Sequence, residues 1–232
     1  MKLAIITGAS SGIGLATAEL FIKHDYQVIN ISRRSTENNQ IIDITCNLAH
    51  ESKITDAINS LDSYLDKASQ VCLIHNACRM GSDSANHCDI DNLKISLAVN
   101  ILAPSLLNQA ILPVLPRSSS VIYMGSTLSE KAVANAYSYV TSKHANIGMM
   151  RSTCQDLAGK GIHTACICPG FTDTDMLRSH IPDDTARMTI GSNNGFNRLI
   201  ESNEIAELIW WAHNNPVING SVLHANLGQT ER

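Results

Sequence analysis

The chain has 232 residues, a net charge of −4, 44% hydrophobic residues and 16% charged residues. That length supports one sizeable core and is short for two full domains. With no long basic run the chain lacks a nucleic-acid footprint, and the opening segment Met1-Lys2-Leu3-Ala4-Ile5-Ile6-Thr7-Gly8 has too short an apolar run for a signal sequence or a membrane span. Its seven cysteines lack a Cys-x-x-Cys pair, and its nine histidines lack ligand spacing, which argues against a disulfide framework and against a metal centre. Reduced, buried cysteines and a cytoplasmic location are the expectation, with Cys166 and Cys168 on one face of a strand.

Apolar β-rich runs alternate with helical patterns along the chain. Residues 3–7 and 27–32 read as strands that flank a helix over 13–24. A third strand is expected at 40–46, then a helix at 52–68, a strand at 71–75 and a long helix at 93–112. A strand at 121–124, a helix at 136–157, a strand at 163–168, a helix at 205–214 and a strand at 221–225 complete the order. This alternation predicts βαβ units, hence an α/β fold with one Rossmann-type doubly wound parallel sheet and helices on both faces. Residues 1–232 read as a single domain, and the irregular stretch at 175–203 reads as a substrate lid closed by the turn Asn193-Asn194-Gly195.

The segment Thr7-Gly8-Ala9-Ser10-Ser11-Gly12-Ile13-Gly14 falls where the first strand must turn into the first helix. Gly8 permits the tight turn, Gly12 lets backbone amides approach a pyrophosphate, and Gly14 lets helix and strand pack closely. Phosphates would then meet the positive end of the helix.

Tyr139 and Lys143 lie four residues apart in a helical segment, so phenol and ammonium share one face. A lysine beside a phenol lowers a tyrosine pKa that is ordinarily about 10, which suits proton transfer near neutral pH. Tyr137 lies six positions from Lys143, roughly 240° around a helix, and cannot share that face.

The pattern Thr7-Gly8-x-x-x-Gly12-Ile13-Gly14, with Asn100, Ser126, Tyr139, Lys143 and Pro169-Gly170 following in order, resembles the short-chain dehydrogenase/reductase family over nearly the whole chain. Within that family it looks closest to 3-oxoacyl-carrier-protein reductases. The resemblance implies hydride transfer between a nicotinamide and a carbonyl or alcohol carbon. It makes Tyr139 the acid/base, Ser126 the holder of the substrate oxygen and Lys143 the tuner of Tyr139 and binder of the nicotinamide ribose. Asn100 would position a water that links Lys143 to solvent. Gly8, Ser10, Ser11, Gly12, Ile13 and Gly14 would cradle the cofactor, joined by Asn76 and Ala77, Pro169 and Gly170, the Thr172 backbone and the Thr174 side chain.

At the end of the second strand, where an NAD enzyme carries an acid, stands Ser32, followed by Arg33 and Arg34. Guanidinium groups bind a 2′-phosphate that a carboxylate would repel, so NADP(H) is the expected cofactor. Two departures from the family pattern stand out. Asn47-Leu48 replaces the Asp-apolar pair that contacts adenine, with Asp43 as an alternative alignment, and Cys78 replaces glycine in His75-Asn76-Ala77-Cys78, which would shift that loop.

The lid mixes Leu177, Ile181, Met188 and Phe196 with Arg178, His180 and Arg187, which suits a small or medium carbonyl or alcohol substrate; either arginine could meet an acidic one. The resemblance implies a homodimer or homotetramer built on the two long helices. Two rival readings are a silent NADP(H)-binding sensor of the same fold and a nucleotide-sugar epimerase or dehydratase. A sensor of this kind typically lacks the tyrosine or the lysine. Nucleotide-sugar enzymes usually show another glycine spacing and a longer carboxyl-terminal domain.

Overall fold

The computed structural model of the protein describes residues 1–230. Among the described residues, seven strands form one sheet: β1 (Lys2–Thr7), β2 (Tyr26–Ser32), β3 (Ile41–Thr45), β4 (Gln70–His75), β5 (Ser120–Met124), β6 (His163–Pro169) and β7 (Ser221–Ala225). Their order is β3-β2-β1-β4-β5-β6-β7, and every neighbouring pair is parallel. The central strands are near-continuous runs of buried Ile, Val and Leu because helices cover both faces. Along β1, Leu3 and Ile5 enter one core while Ala4 and Ile6 enter the other, as the two-residue period of a strand requires.

The helices are α1 (Gly12–Lys23), α2 (Glu51–Asn59), α3 (Asp62–Leu65), α4 (Ile90–Leu97), α5 (Ala103–Ile111), α6 (Tyr137–Asp156), α7 (Asp175–His180), α8 (Asp184–Gly191) and α9 (Ser202–Asn214). Helices α1 and α9 cover one face, where Phe21 meets Tyr26 and Trp210 edge-on at 5.0 and 5.1 Å. On this face His213 is buried, with Nε2 2.7 Å from the Tyr26 hydroxyl and Nδ1 2.6 Å from Ser120 Oγ. The opposite core takes in Leu107 and Ile111 of α5 and Ile147 and Met150 of α6.

Three expectations are corrected. The helix expected at 52–68 divides into α2 and α3, because the chain turns at Ser60 to bury Leu61 fully. The helix expected at 93–112 starts earlier and passes through a π turn at Ala98–Leu102 between α4 and α5. The lid is not irregular throughout: Thr174 caps α7 by accepting from the Leu177 N–H, and Asp183 caps α8 by accepting from Thr185 and Ala186. The expected turn is present, with Asn194 Oδ1 accepting from the Phe196 N–H.

The run Ile90–Val114 is long and apolar enough to cross a membrane by length and composition. Here it docks on the sheet, with Asn100, Ala103, Leu107 and Ile111 facing inward and Ile90, Ile95, Leu102 and Val114 outward.

Candidate active site

In a doubly wound sheet, ligands bind beyond the carboxyl ends of the strands, where the strand order reverses. Here that crevice lies between β1 and β4. Thr7 Oγ1 accepts from the Asn76 and Ala77 N–H groups, both at 3.0 Å, and Asn76 Nδ2 donates back to the Thr7 and Gly8 carbonyls. Thr7 and Asn76 thereby register the two loops that frame the crevice.

The glycine loop fits the expected roles. Gly8 and Gly12 adopt φ of +73° and +55°, and a Cβ on Gly14 would lie 2.3 Å from the Gly8 carbonyl oxygen and 2.6 Å from Asn76 Nδ2. Ala9 N–H is held by Asn30 Oδ1 at 2.8 Å. Ser11 makes no side-chain capping bond, and the first turn of α1 contains no acid, so its leading amides can receive an anion. Ser10, Ser11 and Ile13 lie on this turn. The Thr174 methyl would lie 3.1 Å from a Cβ on Gly12, so Thr174 packs against the glycine loop while its hydroxyl caps α7.

Beyond β2, Ser32 Oγ donates to the Arg34 carbonyl at 2.5 Å, and Arg34 Nη2 reaches Ser11 Oγ at 3.4 Å. The exposed Arg34 guanidinium thus leans over the glycine loop, whereas Arg33 is simply exposed. Asp43 is committed elsewhere: its carboxylate accepts from Asn30 Nδ2 and from the Thr36 backbone and hydroxyl. Asn47 Oδ1 accepts from the Ala49 N–H, and the Leu48 side chain is packed in the core, which leaves Asn47 as the polar side chain of that pair. Cys78 does not adopt a positive φ, and the Asn76 and Ala77 N–H groups are bonded to Thr7 Oγ1.

Tyr139 and Lys143 share one face of α6, with Lys143 Nζ 5.6 Å from the Tyr139 ring centroid. Lys143 is buried and donates to the Met124 carbonyl at 2.6 Å. Burial works against its charge, but Cys78, Tyr139 and Cys166 outweigh that and carry its pKa above the ordinary lysine value. The Tyr139 phenol also moves up. Burial raises it more than Lys143 and a hydrogen bond with Ser126 lower it, which corrects the expectation of a net downward shift.

Ser126 lies two residues beyond β5 and caps a short 3-10 turn, with Oγ accepting from the Leu128 N–H at 3.1 Å and its own N–H bound to Ser129 Oγ. Asn100 sits in the π turn and is buried. Its Oδ1 accepts from Arg79 N–H, and its Nδ2 donates to the Arg79 carbonyl and to Ser142 Oγ. Both donors of that amide are therefore committed, which refines the expected role in water placement. Tyr137 is exposed and lines a separate cleft of about 370 Å³ with Val133 and Val140, away from Lys143.

Pro169 closes β6, Gly170 N–H donates to Ala225, and Thr172 Oγ1 donates to the Gly170 carbonyl at 3.1 Å. In the lid, Arg178 pairs with Asp173 and Asp175, and Arg187 pairs with Asp184. Both are matched within the chain. One residue that the sequence did not single out is Asp83, whose carboxylate accepts from the Ser138 N–H next to Tyr139.

A parallel doubly wound sheet, with an uncapped glycine-lined helix start beside a Ser126–Tyr139–Lys143 cluster, defines a Rossmann-type oxidoreductase that uses a nicotinamide cofactor. The chain belongs to the short-chain dehydrogenase/reductase family, whose model, described as short chain dehydrogenase, matches residues 2–185. It is 31% identical to "Dehydrogenase/reductase SDR family member 6" of Danio rerio, covering 89% of this chain and 87% of that one. It is 28% identical to "3-oxoacyl-[acyl-carrier-protein] reductase FabG" of Vibrio harveyi, covering 98% and 96%. Among solved structures, a short chain dehydrogenase family protein from Francisella tularensis superposes with a TM-score of 0.90 at 25% identity, covering 98% of both chains. A 4-hydroxyisoleucine dehydrogenase complexed with NADH shares the fold, with a TM-score of 0.88 at 22% identity and 98% coverage of both.

Proposed function

We propose that this protein is an NADP(H)-dependent oxidoreductase that interconverts a carbonyl compound and a secondary alcohol. The observation that carries this reading is the grouping of Tyr139, Lys143 and Ser126 beside the glycine-lined start of α1. The nicotinamide cofactor would supply the hydride; the chain supplies binding, placement and protons.

Gly8, Gly12, Gly14 and the leading amides of α1 would hold the pyrophosphate, with Ser10, Ser11 and Ile13 around it. Ser126 donates to the substrate oxygen. Tyr139 gives its phenolic proton to that oxygen during reduction and takes it back during oxidation. Lys143 keeps its charge in a buried setting and favours the phenolate once the proton has left. Asn100 places the β4 loop through Arg79 and α6 through Ser142, and a relay water would rest on its remaining lone pair or on carbonyls of the π turn.

Arg34 leaning on Ser11, with Ser32 in the place of an acid, supports NADP(H) over NAD(H). The intact Tyr139–Lys143 pair speaks against a silent cofactor sensor. Met176, Met188 and Phe196 expose apolar surface along the lid, and Arg178, Arg187 and Arg198 already have carboxylate partners, which favours an uncharged small or medium carbonyl at this wall. Ile90, Ile95 and Leu102 on the outer face of the α4–α5 segment support assembly into a dimer or tetramer. Seven free cysteines suit a reducing, cytoplasmic setting.

The test is turnover of NADPH with a panel of ketones, aldehydes and 3-oxoacyl thioesters. Activity that drops about a thousandfold in Tyr139→Phe, with NADPH still bound, is the expected result. Bound cofactor without turnover on any carbonyl would favour the sensor instead.

A further inference from the structure

Helix α6 carries the proposed acid/base in its first turn, yet it has no cap of its own. Its N-cap residue is Ala136, which makes no side-chain capping bond, and no acid lies in its first turn. The first four amides of a helix need partners from elsewhere. Two of them, the N–H groups of Tyr137 and Ser138, receive partners from Asp83, in the loop that follows β4.

Asp83 meets the helix start with both backbone and side chain. Its N–H donates to the Asn135 carbonyl at 3.2 Å, and its carbonyl accepts from the Tyr137 N–H at 3.1 Å. Its Oδ1 accepts from the Ser138 N–H at 2.9 Å, and its Oδ2 accepts from the Ser138 hydroxyl. Cys88 Sγ adds a contact to Oδ2 at 3.5 Å. Ser138 is buried and Asp83 half-buried, so water competes only in part for these bonds.

The same loop is held at its other end by Asn100, which binds both backbone groups of Arg79 and bonds to Ser142, whose hydroxyl donates to the Tyr139 carbonyl. The β4 loop therefore grips α6 before and after Tyr139. We infer that Asp83 is a positioning residue for the reaction, a cap supplied from across the site that fixes where the Tyr139 phenol stands relative to Ser126 and the β4 loop.

The inference rests on Tyr139 being the acid/base, and its test separates the two ideas. Asp83→Ala removes both side-chain acceptors. Asp83→Asn keeps an acceptor for the Ser138 N–H and offers a donor to the Ser138 hydroxyl, so it preserves the geometry without the charge. With a carbonyl substrate that turns over, Asp83→Ala is expected to lower kcat about tenfold or more while KM for NADPH changes less than about threefold. Asp83→Asn is expected to restore most of that kcat. Unchanged kcat in Asp83→Ala, or a loss that merely follows the folded fraction seen by circular dichroism, overturns the inference.

A second measurement needs no turnover. The tyrosine Cζ resonance of Tyr139, assigned with Tyr139→Phe, is followed by carbon-13 NMR in wild type, Asp83→Ala and Asp83→Asn. A resonance that moves in the alanine protein and returns in the asparagine protein supports the inference even if no substrate is reduced. A resonance identical in all three overturns it, whatever the activity reading. If Asp83→Ala does not fold, Ser138→Ala removes only the hydroxyl bond and is read by the same resonance with the same two outcomes.

Discussion

Lys143 holds its ammonium 5.6 Å from the centroid of the Tyr139 ring while donating to the Met124 carbonyl at the end of β5. One cation is thus fixed between the strand that ends near Ser126 and the helix that carries the phenol. The position matters because burial alone would keep Tyr139 protonated; Lys143 and Ser126 supply the opposing pull.

That balance predicts a direction for the pH dependence. With the phenol above its ordinary value, kcat/KM for carbonyl reduction should stay flat through neutral pH and fall only on the alkaline side, where Tyr139 loses its proton. Alcohol oxidation should rise toward the same alkaline limb. Lys143→Met removes the group that favours phenolate, and should move both limbs to higher pH by about one unit or more. Steady-state profiles from pH 6 upward decide it, and limbs that stay in place after Lys143→Met would rule out this pairing.

Arg34 provides a second prediction. Its guanidinium is exposed and touches Ser11 at 3.4 Å, so its contribution is screened by water and salt. Arg34→Ala should weaken NADPH binding by about tenfold and leave NADH binding nearly unchanged. Titration of both cofactors by fluorescence is the measurement. An equal effect on the two would assign Arg34 to the loop and not to a 2′-phosphate.

Gly125 offers a packing test of the Ser126 placement. A Cβ there would lie 2.6 Å from Cys168 Sγ, 2.8 Å from Cys166 Sγ and 2.9 Å from Ser129 Oγ. The two thiols, 3.9 Å apart on one face of β6 as the sequence predicts, form the wall behind this residue. Gly125→Ala should cost about 1–3 kcal/mol of stability through overpacking and displace Ser126, with activity falling further than the folded fraction. Adding Cys168→Ala opens space and should return part of both losses. If the double variant is no better than the single one, the thiols are not what excludes the methyl group.

The sheet and the Tyr139–Lys143 face were legible because both depend on short periods in sequence: buried β-branched runs for the strands, and a four-residue spacing for the helix. Gly8 and Gly12 were legible because their left-handed backbone favours glycine, and Gly14 because close packing against the Gly8 carbonyl and Asn76 leaves no room for a side chain. Asp83 was not, since its partner is 55 residues away and its own loop carries no periodic signal. The π turn at Asn100 has no distinct composition; it shows only once Arg79 and Ser142 surround the amide. The caps of α7 and α8 were written in Thr174 and Asp183, but six- and eight-residue helices fall below what a hydrophobic period can reveal. The upward shift of Tyr139 reflects the desolvation imposed by its tertiary surroundings, which spacing does not encode.

Two buried histidines predict acid sensitivity of the fold. Burial lowers the His75 pKa to about 4, against the raising effect of Asn108, and burial together with His163 and Lys2 lowers that of His213 to about 4. The unfolded chain protonates these rings near its ordinary value of about 6.5, while the folded chain resists until about 4. Between those values the unfolded state binds more protons, so stability is complete above about pH 6.5 and declines as pH falls toward 4. Each ring accounts for about 2 kcal/mol of loss by pH 5. Urea unfolding from pH 7.5 to 5 should show that decline, and His213→Gln should flatten it by one ring's share. A wild-type midpoint that does not move across this range would mean that the rings are protonated alike in both states.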